Sequence, residues 1–228
     1  MYQGVYTALV TPFSREGLVD VRQLEDLVDM QIEAGVDGLV PVGTTGESPS
    51  LTTEESELVI STVVKQAGGR VPVIAGTGSN CTAKTVSQTR TAQDLGVDGV
   101  LVVVPYYNKP TQRGLYGHFM EVADSSEVPV IIYDVPGRSA AAIENSTMLE
   151  LAKHDHIAGV KAASGNLSTV MDLISSAPKD FCILSEDDNL VFPMMALGGH
   201  GVISVVSNLY PEQMALMTRS CLEGNWLE

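Results

Sequence analysis

Short, nearly continuous apolar runs alternate with longer amphipathic runs along the whole chain. The apolar runs cover residues 5–11, 38–43, 71–76, 99–104, 128–133, 157–162, 182–185 and 201–205. Unbroken hydrophobicity, rather than apolar–polar alternation, predicts parallel strands buried on both faces. The intervening runs read as helices. Asp20 stands three residues before Gln23 as an N-cap, and Leu24, Leu27, Val28 and Ile32 then share one face. Thr52 and Glu55 repeat that signal ahead of Val59, Ile60, Val63, Val64 and Ala67.

The pattern also echoes itself. Ala34-Gly35-Val36-Asp37-Gly38-Leu39-Val40 returns as Leu95-Gly96-Val97-Asp98-Gly99-Val100-Leu101, and Val71-Pro72-Val73-Ile74 returns as Val128-Pro129-Val130-Ile131. Each echo lies about 60 residues on, the length of two strand–helix units of a barrel. The shared content is a helix ended by glycine, a tight turn and a buried strand. Eight near-equal units predict a single (β/α)8 TIM barrel domain over residues 1–228. A doubly wound open sheet is the rival, but no GxGxxG follows the first strand.

A barrel of this kind carries its active site at the C-terminal ends of the strands. Polar residues gather at those positions. The second strand is followed by Gly43-Thr44-Thr45-Gly46-Glu47-Ser48, and the fourth by Pro105-Tyr106-Tyr107-Asn108-Lys109-Pro110. The fifth ends in Tyr133-Asp134-Val135-Pro136-Gly137-Arg138-Ser139, and the seventh in Ser185-Glu186-Asp187-Asp188. The sixth carries Lys161 inside an apolar run, whereas Lys65, Lys84, Lys109, Lys153 and Lys179 lie in polar sequence. Burial disfavours the charged ammonium, and a neutral amine can form a Schiff base with a carbonyl. The bland alternative is a strand-end lysine that reaches back to water.

Each neighbour has its own two readings. Gly43-Thr44-Thr45-Gly46 is either an ordinary turn or a nest of amides and hydroxyls for a carboxylate. Tyr133 is either a rim aromatic or a phenol that passes protons. Arg138 is either a solvated loop arginine or a bidentate carboxylate clamp. Phe181, Phe192, Met194 and Met195 read as core.

Composition narrows the function further. A net charge of −15 repels nucleic-acid backbones, so no nucleic acid is expected as a partner. No apolar run is long enough to cross a membrane, and the N-terminus lacks the regions of a signal peptide. Cys81, Cys182 and Cys221 show no CxxC spacing, which points to the cytoplasm and away from disulfides or a zinc site. The four histidines (His118, His154, His156 and His200) are not at ligand spacing and read as surface residues, so no metal site is expected.

The motifs GTTGES, PYYNKPTQ, YDVPGRS, GVKAASGN and GGHGVISV, in this order and spacing, resemble the dihydrodipicolinate synthase and N-acetylneuraminate lyase family of Schiff-base-forming aldolases. The Thr44-Thr45 pair and Arg138 resemble the branch that condenses pyruvate with L-aspartate 4-semialdehyde in lysine and diaminopimelate biosynthesis. The resemblance implies that Lys161 forms a covalent imine with pyruvate and that no cofactor is needed. It implies that Gly43, Thr44 and Thr45 hold the pyruvate carboxylate and that Ile203 borders the pocket. It assigns a proton relay to Tyr133, Thr44 and Tyr107, with Tyr107 arriving from a neighbouring subunit of a homotetramer built as a dimer of dimers. Arg138 would receive the carboxylate of the semialdehyde.

Three features depart from the family pattern. Ala162 follows the lysine, where an acidic or larger residue is usual. Glu186 stands where the pattern has glycine, and either a crowded pocket or an added negative charge near pyruvate is expected from it. The pattern continues into a C-terminal helical segment, whereas the sequence stops at Glu228, so the expected fold is a barrel lacking that segment. Two other readings stay open: a related pyruvate aldolase acting on a sugar acid, and a catalytically impaired truncated barrel.

Overall fold

A computed structural model describes residues 2–226. Its strands are β1 (Gly4–Ala8), β2 (Gly38–Val40), β3 (Ile74–Gly76), β4 (Gly99–Val103), β5 (Val130–Asp134), β6 (Ile157–Ala162), β7 (Cys182–Ser185) and β8 (Gly201–Ser204). They pair in parallel in the order β2-β1-β8-β7-β6-β5-β4-β3. The ends of that order meet. Leu39 bridges Val73, the Leu39 N–H donates to the Pro72 carbonyl at 3.0 Å, and the Gly76 N–H donates to the Pro41 carbonyl at 3.0 Å. The sheet therefore closes into the expected (β/α)8 barrel, and the open-sheet rival is excluded.

Two strands are shorter than the apolar runs suggested. Pro41 has no N–H for the ladder, and Val42 takes φ of 56°, so the second run turns away after Val40. The third run joins β4 only from Ile74, because the Val73 N–H donates to the Asp98 carboxylate at 2.8 Å instead of to the ladder. Gly76 is required where these turns meet, since a Cβ there would collide with the Val42 carbonyl.

Helices α1 (Val21–Glu33), α2 (Thr53–Ala67), α3 (Thr82–Asp94), α4 (Gln112–Asp124), α5 (Pro136–Ser139), α6 (Asn145–Leu151), α7 (Leu167–Ser176), α8 (Val191–Ala196) and α9 (Pro211–Glu223) alternate with the strands. Asp20 caps α1 through the Gln23 N–H. Thr52 and Glu55 form the full capping box of α2. The core lies in two layers, as strands buried on both faces require. Val5, Leu39, Val100, Ile132 and Val160 pack outward against helices, whereas Tyr6, Val40, Ile74, Leu101, Ile131, Leu184 and Ile203 fill the barrel interior.

Two side chains depart from the sequence reading. Phe181, Met194 and Met195 are buried as expected, but Phe192 is 46% exposed and packs edge-on against Trp226. It lies one position off the inward face of the short α8, whose buried residues are Val191, Met194 and Met195. His118 is buried rather than on the surface: it sits between α3 and α4, with Nδ1 2.9 Å from the Thr82 hydroxyl. Burial lowers its pKa to about 4.

That shift has a signed consequence. Between pH 6.5 and 4 the unfolded chain protonates this histidine and the folded chain does not, so its contribution is complete above about pH 6.5 and is lost as pH falls through 4. The loss is about 3 kcal/mol. We expect the unfolding free energies of wild type and His118→Gln, measured by urea titration, to converge by that amount between pH 7 and pH 4. A difference that stays constant with pH would refute a neutral buried imidazole.

Candidate active site

Lys161 sits near the end of β6, with its side chain inside the barrel and 4% of the residue exposed. The register sets Tyr133 on β5 to one side and Leu184 on β7 to the other. The amine lies 4.3 Å from the centre of the Tyr133 ring. Burial lowers its pKa to about 8, against the opposing pull of the Glu186 and Asp188 carboxylates, with Arg138 reinforcing the decrease. A lysine with this pKa is about half neutral at pH 8, whereas an ordinary lysine is well under 1% neutral there. The strand-end alternative, with the amine in bulk water, does not hold.

Glu186 follows β7 directly. Its N–H donates to the Ala162 carbonyl at 3.1 Å, which carries the β6–β7 pairing one residue further and aims the side chain over the barrel mouth. Its Oε1 accepts a hydrogen bond from the Tyr133 hydroxyl and lies 3.7 Å from Lys161 Nζ, an ion-pair distance rather than a hydrogen bond. Burial first, and Glu186 second, push the Tyr133 phenol above its ordinary pKa, so Tyr133 stays protonated. The sequence reading had joined Tyr133 to Thr44. The phenolic proton here points at Glu186, whose carboxylate meets the hydroxyl.

These groups line a cavity of about 730 Å³ that opens at the C-terminal end of the barrel. Gly43, Thr44 and Thr45 form one wall. The Gly46 and Glu47 amides close the turn onto the Gly43 and Thr44 carbonyls at 3.1 Å, while the Thr44 and Thr45 amides have no protein acceptor among the described residues. Two unpaired N–H groups beside two hydroxyls form a site for a carboxylate. Arg138 lines the cavity from the short α5 and makes no ion pair among the described residues. The lining contains Lys84, Arg138 and Lys161 against one acid, Glu186, so this cavity is basic within a strongly acidic chain and suits small anions.

The dihydrodipicolinate synthetase family model matches residues 1–228. The chain belongs to that family. It is 48% identical, over 225 residues, to 4-hydroxy-tetrahydrodipicolinate synthase of Neisseria meningitidis serogroup B, covering 99% of this chain and 77% of the relative. The Laribacter hongkongensis enzyme of the same name is also 48% identical, with the same coverage. The crystal structure of dihydrodipicolinate synthase from Aquifex aeolicus superposes with a TM-score of 0.96 at 46% identity, covering 99% of this chain and 77% of that one. A chloride-inhibited dihydrodipicolinate synthase from Acinetobacter baumannii, complexed with pyruvate, superposes with a TM-score of 0.97 at 40% identity, covering 99% of this chain and 78% of that one.

In this family member, Lys161, Tyr133, Gly43, Thr44, Thr45 and Arg138 converge on one cavity. Two further candidates do not. Ile203 is fully buried in the interior layer and is not part of the cavity wall. Tyr107 projects from the rim, 88% exposed with φ of 74°, while its neighbour Tyr106 faces the chain's own cavity. Sequence reasoning missed the work of Asp188. Its carboxylate accepts from the Ser204 hydroxyl at 2.6 Å and from the Val205 and Val206 amides, tying the end of β8 to the mouth of the site. An acidic pair after a strand gives no sign of this, because its partners come from the next unit.

Proposed function

We propose that this chain condenses pyruvate with L-aspartate 4-semialdehyde to 4-hydroxy-tetrahydrodipicolinate, as a lyase of the class I aldolase type in lysine and diaminopimelate biosynthesis. One observation carries the reading above the rest: a buried amine with its pKa lowered to about 8 faces a basic cavity with an amide-and-hydroxyl turn on one wall. Lys161 attacks the keto carbon of pyruvate while Thr44 and Thr45 hold its carboxylate. The resulting protonated imine is the electron sink, so the reaction requires neither metal nor organic cofactor. Loss of a methyl proton gives an enamine, whose carbon attacks the aldehyde. Arg138 receives the carboxylate of that second substrate. The product amine then closes the ring and displaces Lys161.

The same reading makes the chain a cytoplasmic homotetramer, a dimer of dimers, in which Tyr107 enters a neighbour's cavity. Its exposed position on the rim supports that placement. Among the described residues no helix is long and apolar enough to cross a membrane.

The test is turnover. Purified protein given pyruvate and L-aspartate 4-semialdehyde should form the cyclic product and should leave sugar-acid aldehydes untouched. Turnover of a sugar-acid aldehyde alone would establish the related aldolase instead. Turnover of neither would leave a barrel that only binds.

A further inference from the structure

The hydrogen bond between Tyr133 and Glu186 has no place in a relay of Tyr133, Thr44 and a neighbour's Tyr107. We propose that Glu186 is the proton acceptor behind Tyr133, so that the proton relay of this site ends within the chain itself. This rests on the imine reading above. A phenol has one proton to donate, and here it goes to Glu186 Oε1. The carboxylate is held for that purpose. Its backbone is fixed by the 3.1 Å bond to Ala162, its side chain is only 18% exposed, and the same Oε1 stands 3.7 Å from the amine that reacts. The other charged groups around it are Arg138 from α5 and Asp188 after β7, both of which act on the Lys161 amine.

The proton balance is complete. In the pyruvate imine a methyl C–H bond breaks, its electron pair forms the C=C bond, and the C=N pair moves onto nitrogen. The methyl proton passes to Tyr133 Oη as the phenolic proton passes to Glu186 Oε1. Tyr133 ends as it began, iminium and carboxylate become enamine and carboxylic acid, and no charge is left unpaired in the buried site. When the enamine carbon attacks an aldehyde, the nitrogen pair re-forms C=N and the carbonyl pair moves onto oxygen. That oxygen takes the Tyr133 proton, which Glu186 restores. A second acceptor is needed because burial makes a stored phenolate costly, which leaves Tyr133 to pass protons rather than to keep them.

The step can be read without the second substrate. In D2O, exchange of pyruvate methyl protons followed by NMR reports enamine formation, and borohydride trapping reports the imine. Wild type should do both. Glu186→Gln should still trap pyruvate but exchange its protons about 100-fold more slowly. Glu186→Asp should recover part of the rate. Exchange at the wild-type rate in Glu186→Gln would overturn the proposal and leave the imine reading standing. Failure of wild type to trap pyruvate would overturn the imine reading and the proposal with it.

Discussion

Lys161→Ala should abolish the pyruvate adduct trapped by borohydride and lower condensation on the order of 10⁴-fold or more, the scale expected when a covalent nucleophile is removed. The amine is the one lysine nitrogen inside the barrel, and its neighbours cannot replace it: Tyr133 is held protonated, and Glu186 is a carboxylate. The fold should survive. The substitution removes a buried cation whose desolvation is unfavourable, and Glu186 keeps its bond from Tyr133. In wild type, the rate of adduct formation should rise with pH and level off above about 8, because only the neutral amine attacks. Mass spectrometry after borohydride treatment decides the matter. An adduct that persists in Lys161→Ala would remove this residue from the mechanism.

Arg138→Ala should leave that adduct intact and cripple use of the semialdehyde. Truncating one partner of a desolvated arginine–carboxylate contact costs about 2–5 kcal/mol. Arg138 remains in contact with solvent at the cavity mouth, so we expect the lower end, a loss in kcat/KM of about 30-fold. Arg138→Lys should restore little, since an ammonium lacks the planar fork that meets both carboxylate oxygens. Steady-state kinetics in the semialdehyde, run beside trapping in pyruvate, separate the two substrates. Normal kinetics in Arg138→Ala would move the second carboxylate to another residue, and Lys84 is the remaining cation on the wall.

Much of the architecture could be read from the chain because it rests on local chemistry. Unbroken apolar runs marked the strands, and capping pairs marked the starts of α1 and α2. Where local chemistry gave mixed signals, the reading slipped. Pro41 and Val42 are apolar, yet one cannot donate to the ladder and the other takes a left-handed turn, so β2 stops at Val40. His118 looks like any helix histidine, and only the packing of α4 on α3 buries it.

The candidate site divides along the same line. Lys161 was conspicuous because a charged residue in an apolar strand violates the local pattern, and the motifs around Thr44, Tyr133 and Arg138 carried the family resemblance. Position 186 was visible as an anomaly, but its effect was not. Whether that carboxylate faced water or the reacting amine depended on the β6–β7 register and on the 3.1 Å bond to Ala162. The sequence by itself determined the alternation of strands with helices and singled out the lysine in an apolar run, because hydrophobic period and desolvation act within one unit. Only the tertiary structure decided that the ends of the sheet meet at β2 and β3, that the Tyr133 hydroxyl donates to Glu186 and that Tyr107 stands exposed on the rim. Those outcomes depend on distances between residues of different units, which no local pattern encodes.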